Sequence, residues 1–252
     1  MDESRLKTAA IIQARMGSAR LPKKVLEDIE GKPMLWHVVE RVKQAKKIDN
    51  VIIATTTNSK DDAIEALAKK EGWNIYRGSK EDVLDRFYQA AKKFGVDIIV
   101  RITGDCPLIS PEIIDICLER FLIEKCDYIA NCFEDKVTFP RGLDVSVFSF
   151  SALEKAHKNA VDNYEKEHVV PYFWNNKNNE IKVGPVITAP AEYASDYRLT
   201  VDYPEDLTVI RKIYQIFYKP GEIINVFEAV EFLNKNPKIA KINAARKQKP
   251  FK

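Results

Sequence analysis

In the stretch AAIIQARMGSARLPKKVL, which begins at Ala9, the cations Arg15, Arg20, Lys23 and Lys24 gather around Gly17 and Ser18. That grouping can hold an anion. The glycine lets backbone N–H groups approach closely and the serine adds a hydroxyl donor. Arg15 and Arg20 offer forked donors, and Lys24 delivers a point charge further along the loop. The same residues could equally make a solvated turn. No G-x-G-x-x-G occurs, no second glycine precedes the lysine and no Ser or Thr follows it, so neither the dinucleotide fingerprint nor a Walker A loop is present.

Two carboxylates stand at the ends of strand-like runs. Asp105 follows DIIVRITG, and Asp202 ends RLTVD ahead of Tyr203-Pro204. Each alone reads as a turn former or a helix cap. If both runs are strands of one parallel sheet, both carboxylates reach the sheet edge where ligands of open α/β folds sit, beside the cationic loop. Hard carboxylate oxygens next to a polyphosphate are what Mg²⁺ requires. With no cation between them they would repel, so neutralising either is expected to leave the ligand-free protein as stable or more so. Glu205 and Asp206 are expected to turn toward solvent or the helix dipole. His37 falls in an amphipathic helix and reads as structural.

The elements that must position these groups alternate in type. TAAIIQA precedes the loop and the helical KPMLWHVVERVKQAKK, where Pro33 suits the first turn. VIIATT precedes SKDDAIEALAKKEG, with Ser59 and Asp62 spaced as a capping box and Gly72 as the stop. WNIYRG precedes SKEDVLDRFYQAAKKFG, where Ser79, Asp82 and Gly95 repeat the device. DIIVRIT leads through GDCPLI to a helix with Ser110 as N-cap and Pro111 at its first position. Such alternation predicts an α/β fold with a doubly wound, mostly parallel sheet. After Tyr128 the strand-like DYIANC, GLDVSVFS and EIKVGPVI predict a small mixed-sheet extension over about residues 128–195. RLTVD reads as a last core strand, followed by the helix PEDLTVIRKIYQIF and a terminal helix from about Asn225. The basic end KINAARKQKPFK reads as a solvated tail.

The chain has 252 residues, 45% of them hydrophobic and 31% charged, which is ordinary for one soluble globular domain. A net charge of +3 argues against nucleic acid or membrane as the main partner but allows an anionic small molecule. The N-terminus lacks the apolar core of a signal peptide, and no run approaches transmembrane length. Cys106, Cys117, Cys126 and Cys132 show no C-x-x-C spacing, so reduced thiols in the cytoplasm are expected.

The segment IIQARMGSARLPKKVLEDIEGKPMLWHVVERV resembles the signature of the cytidylyltransferases that make CMP-activated sugars. RITGDCPLI, FPRGLDVSVF, EHVVPYFW and RLTVDYPEDL recur in the expected order, so the likeness spans nearly the whole chain. It is nearest to the spore coat polysaccharide biosynthesis protein F branch. The resemblance implies a Rossmann-like fold of the nucleotide-diphosphosugar transferase type and transfer of CMP from CTP to a sugar acid or sugar phosphate. It also implies homodimerisation through the extra lobe and a role in surface polysaccharide synthesis. The triphosphate role carries over to Arg15, Gly17, Ser18, Arg20 and Lys24, and the Mg²⁺ role to Asp105 and Asp202. Ala14 with Arg15, Gly78 with Ser79, and Thr103 with Gly104 are implied near base and ribose. For the acceptor, Arg141 suits a carboxylate or phosphate and Asp144 suits sugar hydroxyls, with Gly142 as a flexible link. His168 is a general-base candidate by residue type but fits better in shaping the acceptor pocket or simply packing, and Arg198 either serves the acceptor instead or pairs with Asp196. Lys23 stands where the family usually has glycine, which costs on the order of 1 kcal/mol if the position needs a positive φ. A glycosyltransferase would share the architecture but normally shows Asp-x-Asp, which is absent from this chain. A non-catalytic nucleotide-binding protein is the other alternative.

Overall fold

The computed structural model describes residues 5–133 and 136–246. The residues of the basic tail beyond Arg246, like the first four, lie outside the described residues.

Strand β1 (Thr8–Gln13) runs into the cationic loop, a 3-10 turn at Lys24–Leu26 and the hairpin of β2 (Asp28–Ile29) with β3 (Lys32–Pro33). Helix α1 (Met34–Val42) follows, then β4 (Asn50–Thr56), α2 (Asp62–Glu71), β5 (Asn74–Gly78), α3 (Val83–Phe94), β6 (Ile98–Thr103) and α4 (Pro111–Glu124). Next come β7 (Tyr128–Ala130), the short pair β8 (Cys132–Phe133) and β9 (Lys136–Val137), and β10 (Ser146–Ser149). Helices α5 (Phe150–Asn159), α6 (Asn163–His168), α7 (Pro171–Asn175), α8 (Pro204–Phe217), α9 (Val226–Lys235) and α10 (Pro237–Ala240) complete the chain.

The main sheet has six strands in the order β5-β4-β1-β6-β10-β7. Its first four are parallel, and β10 pairs antiparallel with both β6 and β7. Helices cover both faces. One face packs Ile12, Val100, Ile102 and Val147 against α1, α4, α8 and α9, and the other packs Ile11, Ile99, Tyr128 and Phe148 against α3, α5 and α7. The doubly wound, mostly parallel α/β fold read from the periodicity is the fold observed.

Several boundaries moved. Gly72 and Gly95 end their helices in the left-handed region at φ 70° and 63°, and Ser110 caps α4 with Pro111 first in the helix, as expected. Ser59 caps nothing, because Asn58 accepts from Lys60 N and α2 begins only at Asp62. Asp82, rather than Ser79, caps α3 by accepting from Asp85 N, while the Ser79 hydroxyl accepts from Asp82 N. DYIANC and GLDVSVFS supply β7 and β10, the antiparallel strands that extend the main sheet and make it mixed, as expected. EIKVGPVI and RLTVD form no ladder, only the isolated bridges Tyr128–Val183 and Arg141–Arg198. RLTVD crosses the end of the sheet, with Leu199 N bonding Arg141 O at 2.6 Å and Val201 N bonding Asp105 O at 2.8 Å. Its backbone is thus committed to two different neighbours, and no single strand pairs along it. Among the described residues, no helix is long and apolar enough to cross a membrane.

Candidate active site

The loop after β1 is built around Met16. Its N–H donates to the buried Asp61 carboxylate at 2.7 Å, and its carbonyl accepts from both Ser18 N and Lys23 N at 3.0 Å. Thr56 Oγ1 also donates to Asp61, which fixes that carboxylate from the end of β4. Gly17 has open space where a side chain would stand, and the Ser18 hydroxyl accepts from Leu21 N at 3.3 Å. Lys23 sits at φ 63° and ψ 11°, a left-handed position in which a glycine would be unstrained.

Lys24 then turns inward. Its Nζ donates to Asp105 Oδ2 at 2.6 Å, to Asp202 Oδ1 at 2.9 Å and to Val201 O at 2.8 Å. Arg20 Nη2 reaches the same Asp202 oxygen at 2.5 Å. One ammonium therefore closes the gap between the two carboxylates, and a guanidinium stands beside it. Burial alone would raise the Asp105 pKa, but the charge and hydrogen bond of Lys24 overcome this and hold it at about 2. Burial likewise opposes the Lys24 charge, and the two aspartates outweigh it, raising its pKa.

Each carboxylate reaches this point for a local reason. Asp105 leaves β6 across Gly104, whose N–H bonds Gln13 O at 2.9 Å. A Cβ on Gly104 would lie 3.0 Å from that same oxygen and 3.1 Å from Ala14 Cβ, so glycine permits the close approach. Asp202 is not on a sheet strand. The Val201–Asp105 hydrogen bond brings it in, and a buried polar layer supports it from behind. In that layer Asp206 accepts from Asp202 N and Tyr203 N at 3.0 Å and from Asn243 Nδ2 at 2.8 Å. The expectation that Asp206 faces solvent is thus overturned: it is fully buried, completes the capping box of α8 and pairs with Arg198. Glu205 does turn outward, to Arg246 at 2.5 Å. Arg198 does not pair with Asp196. Its guanidinium is buried against Asp202 at 3.4 Å and Asp206 at 3.3 Å.

Ala14, Thr103 and Gly104 lie together at the ends of β1 and β6, since Gln13 and Thr103 are cross-strand partners. Thr103 Oγ1 is 3.0 Å from Cys106 Sγ. Arg15 makes no hydrogen bond or ion pair among the described residues, yet it is close enough to Arg86, Glu81 and His168 to affect their titration. Arg86 is 2% exposed and donates to Ser79 O at 2.8 Å, so a buried cation tethers the Gly78–Ser79 loop beside Arg15. A Cβ on Gly78 would meet Tyr76 Cε1 at 2.8 Å and Arg86 Cγ at 3.2 Å.

On the other side of β6, Arg141 Nη1 reaches Cys132 Sγ at 3.4 Å, and Asp144 Oδ2 accepts from Gly142 N at 3.3 Å. Gly142 is not a flexible link. It sits at φ 105°, and a Cβ there would fall 2.5 Å from Thr200 N. His168 is half-buried against the Tyr164 ring, and burial lowers its pKa. The next residue, Val169, takes φ 69° and ψ −61° in a γ-turn closed by Val170 N to His168 O at 2.8 Å. A β-branched residue rarely adopts that geometry, so the surrounding packing holds His168 in place at a cost. His37 is buried and bonded to Ile29 O at 2.8 Å, the structural role expected of it.

Sequence reasoning missed Asp61, Arg86 and Asp206. The first and last sit in runs of acidic residues that read as solvated helix starts, and Arg86 in α3 looks like one more surface charge. Tyr203 was also missed: its ring lies under Arg20 at 5.1 Å and Arg246 at 4.8 Å.

An open α/β sheet with a cationic loop and two carboxylates at its carboxyl edge describes the nucleotidyltransferases as a class. The family model for cytidylyltransferases matches residues 9–229, and the chain belongs to that family, the CTP-dependent nucleotidyltransferases. It is 43% identical over 251 residues to an uncharacterised protein of Methanocaldococcus jannaschii, covering 98% of both chains. It is 35% identical to spore coat polysaccharide biosynthesis protein SpsF of Bacillus subtilis, over 91% of this chain and 95% of the other. A 3-deoxy-manno-octulosonate cytidylyltransferase of Geobacter sulfurreducens matches at 42% identity, over 42% of each chain. Among solved structures, a cytidylyltransferase from Leptospira borgpetersenii superposes with a TM-score of 0.84 at 37% identity, covering 94% of this chain and 97% of that one.

Proposed function

We propose that this protein transfers CMP from CTP to a sugar acid or sugar phosphate, releasing pyrophosphate, in the synthesis of a surface polysaccharide. The observation that carries the reading is the Lys24 ammonium bonded to both Asp105 and Asp202, with Arg20 on the same carboxylate. Two hard carboxylates and two cations at the carboxyl edge of parallel strands are the groups a triphosphate and Mg²⁺ need. The donor set fits Mg²⁺: Asp105 is held ionised, and Asp202 is within one ammonium's reach of it. Among the described residues no third metal-ligating side chain joins them, so phosphate oxygens and water would complete the shell. A bound Mg²⁺ supplies charge neutralisation at the α-phosphate.

The reaction is in-line. An acceptor oxygen forms a bond to the α-phosphorus, the bond from that phosphorus to the bridging oxygen breaks, and pyrophosphate leaves with its charge. Arg20 and Lys24 neutralise the charge that gathers on the departing group, and Arg15 with the Gly17–Ser18 backbone orients the triphosphate. When phosphates arrive, Lys24 exchanges its carboxylate partners for them in whole or in part. Thr103, Gly104 and the tethered Gly78–Ser79 loop form the base and ribose side. A sugar phosphate attacks through an oxygen that is already ionised and needs no general base, whereas a sugar-acid hydroxyl releases its proton to water as the new bond forms. The similarity to the Bacillus SpsF protein supports the polysaccharide role.

The test is thermal stabilisation by nucleotides with Mg²⁺. CTP is expected to raise the melting temperature more than ATP, GTP or UTP at equal concentration, because a ligand that binds only the native state stabilises it by mass action. Equal shifts with all four would reduce the site to a general triphosphate binder.

A further inference from the structure

We propose that Arg101 receives the anionic group of the acceptor; the proposal rests on the cytidylyl-transfer reading and names the residue that selects its second substrate. Arg101 lies on β6, inside the central sheet, level with Ile11 on β1 and Ser146 on β10. Alternation puts it on the face where Ile99, its neighbour two residues back, packs with Ile11, Tyr128 and Phe148. An aliphatic side chain would serve stability better at such a position. Instead the guanidinium makes no hydrogen bond or ion pair among the described residues, and its Nε is cut off from solvent.

The groups around it also keep unpartnered atoms. Asp144 is close enough to influence Arg101 electrostatically, but no ion pair joins them, and Asp144 Oδ1 is buried without a partner. Gln13 Oε1, on the adjoining strand and the same face, is likewise buried and unbonded. A native fold satisfies nearly all of its buried polar atoms, because each orphan costs about 1–3 kcal/mol. Arg101 Nε within β6, Gln13 Oε1 at the end of β1, Asp144 Oδ1 just before β10 and Tyr128 Oη on β7 are four such orphans, and they mark a place where a ligand supplies the partners. A guanidinium fork matches a carboxylate or phosphate, while Asp144 and Gln13 offer acceptors to hydroxyl groups.

β6 leads from Arg101 to the reaction centre. Thr103 and Asp105 follow Arg101 on the same strand and its exit, and Arg101 senses the Asp105 charge. His168 is close enough to both Arg101 and Arg15 to be affected by their charges. An acceptor anchored on Arg101 would therefore have its hydroxyls beside Asp144 and its reacting oxygen directed toward the α-phosphate.

The experiment compares wild type with Arg101→Met and Arg101→Lys. The probes are 3-deoxy-manno-octulosonate and N-acetylneuraminate as sugar acids, glucose 1-phosphate as a sugar phosphate, and mannose as the neutral control. The ligand-free Met variant should melt at or above the wild-type temperature, because it removes a partly buried charge with no ion-pair partner. Its CTP-induced shift should be unchanged, while the KM or apparent Kd for the preferred anionic probe rises about 10²-fold, the loss expected for charge-assisted hydrogen bonds. The Lys variant should recover part of that loss. Preference for the sugar acids or for the sugar phosphate tells which anion Arg101 takes. A fall in ligand-free melting temperature of several degrees would make Arg101 a structural residue and overturn the proposal. Equal use of mannose, equal loss of CTP binding, or indifference of the wild type to every anionic probe would overturn it as well. If wild type fails to respond to CTP, the cytidylyl-transfer reading fails, and the ligand-free melting and anion arms still decide the role of Arg101.

Discussion

Lys24 decides how the two carboxylates behave. Read from the sequence, Asp105 and Asp202 face each other with nothing between them, and removing one relieves repulsion. With the ammonium 2.6 Å and 2.9 Å from the pair the sign reverses. Lys24→Met leaves the buried Asp202 and the partly exposed Asp105 without their cation and is expected to cost about 3 kcal/mol in ligand-free stability, besides weakening triphosphate binding. Urea unfolding of the two proteins measures it; an unchanged midpoint would mean the ion pairs contribute nothing. The pH dependence follows from Asp105, whose pKa is depressed to about 2 from 3.8. A depressed carboxylate contributes stability above its unfolded pKa and loses it as pH falls through its folded one. Wild type should therefore lose about 2 kcal/mol relative to Asp105→Asn between pH 5 and pH 2. Parallel acid unfolding curves for the two would remove Lys24 from this role. What the sequence showed here was residue type and address. The inward turn of a lysine carries no sequence signal, because a lysine in a loop ordinarily points to water.

Among the elements, the loop after β1 and the Arg141–Arg198 bridge carry the backbone constraints. Lys23 at φ 63° bears out the suspicion raised by a non-glycine residue at that position. Lys23→Gly should be neutral or up to about 1 kcal/mol stabilising, as relief of the left-handed conformation is offset by a more flexible unfolded chain. Nucleotide affinity should be kept, and a marked loss of CTP binding would show that the Lys23 side chain itself holds phosphate. Gly142→Ala has the opposite outlook. Its Cβ would strike the backbone of Leu199 and Thr200, so a loss of about 3 kcal/mol or more is expected, and a melting temperature within a degree or two of wild type would contradict the packing. Element types were legible because they rest on periodicity and on Gly, Ser and Pro signals: Gly72, Gly95, Ser110 and Pro111 all serve as expected. Where two polar residues compete for one cap, as Ser79 and Asp82 do, local chemistry does not decide between them. RLTVD looked like a strand because it is apolar and β-branched, but its backbone partners are remote loops that no local pattern reveals.

Across the whole molecule, the parallel half of the sheet was visible in the alternation of runs, and the mixed extension in the strand-like runs after Tyr128, while the strand order β6-β10-β7 was not. Those last two strands are short and separated by a hairpin, so nothing local says which of them pairs with β6. The site inherits that division. The face built from β1, β4 and β6 bears the nucleotide loop and Asp105, which the motifs marked; β10 and β7 complete the side where Arg101, Asp144 and His168 gather, and there the sequence named two of the three. Asp105 and Asp202 are expected to act in the chemistry as well as in the fold. The decisive measurement is the rate of pyrophosphate release from CTP and Mg²⁺, with whichever probe serves as acceptor, for Asp105→Asn and Asp202→Asn under conditions where both variants are folded. A fall in turnover of roughly 10²–10³-fold or more in each is expected, comparable to the loss of a preorganised electrostatic group at a transition state. Near wild-type rates in both variants would contradict the claim and leave the pair as structural partners of Lys24.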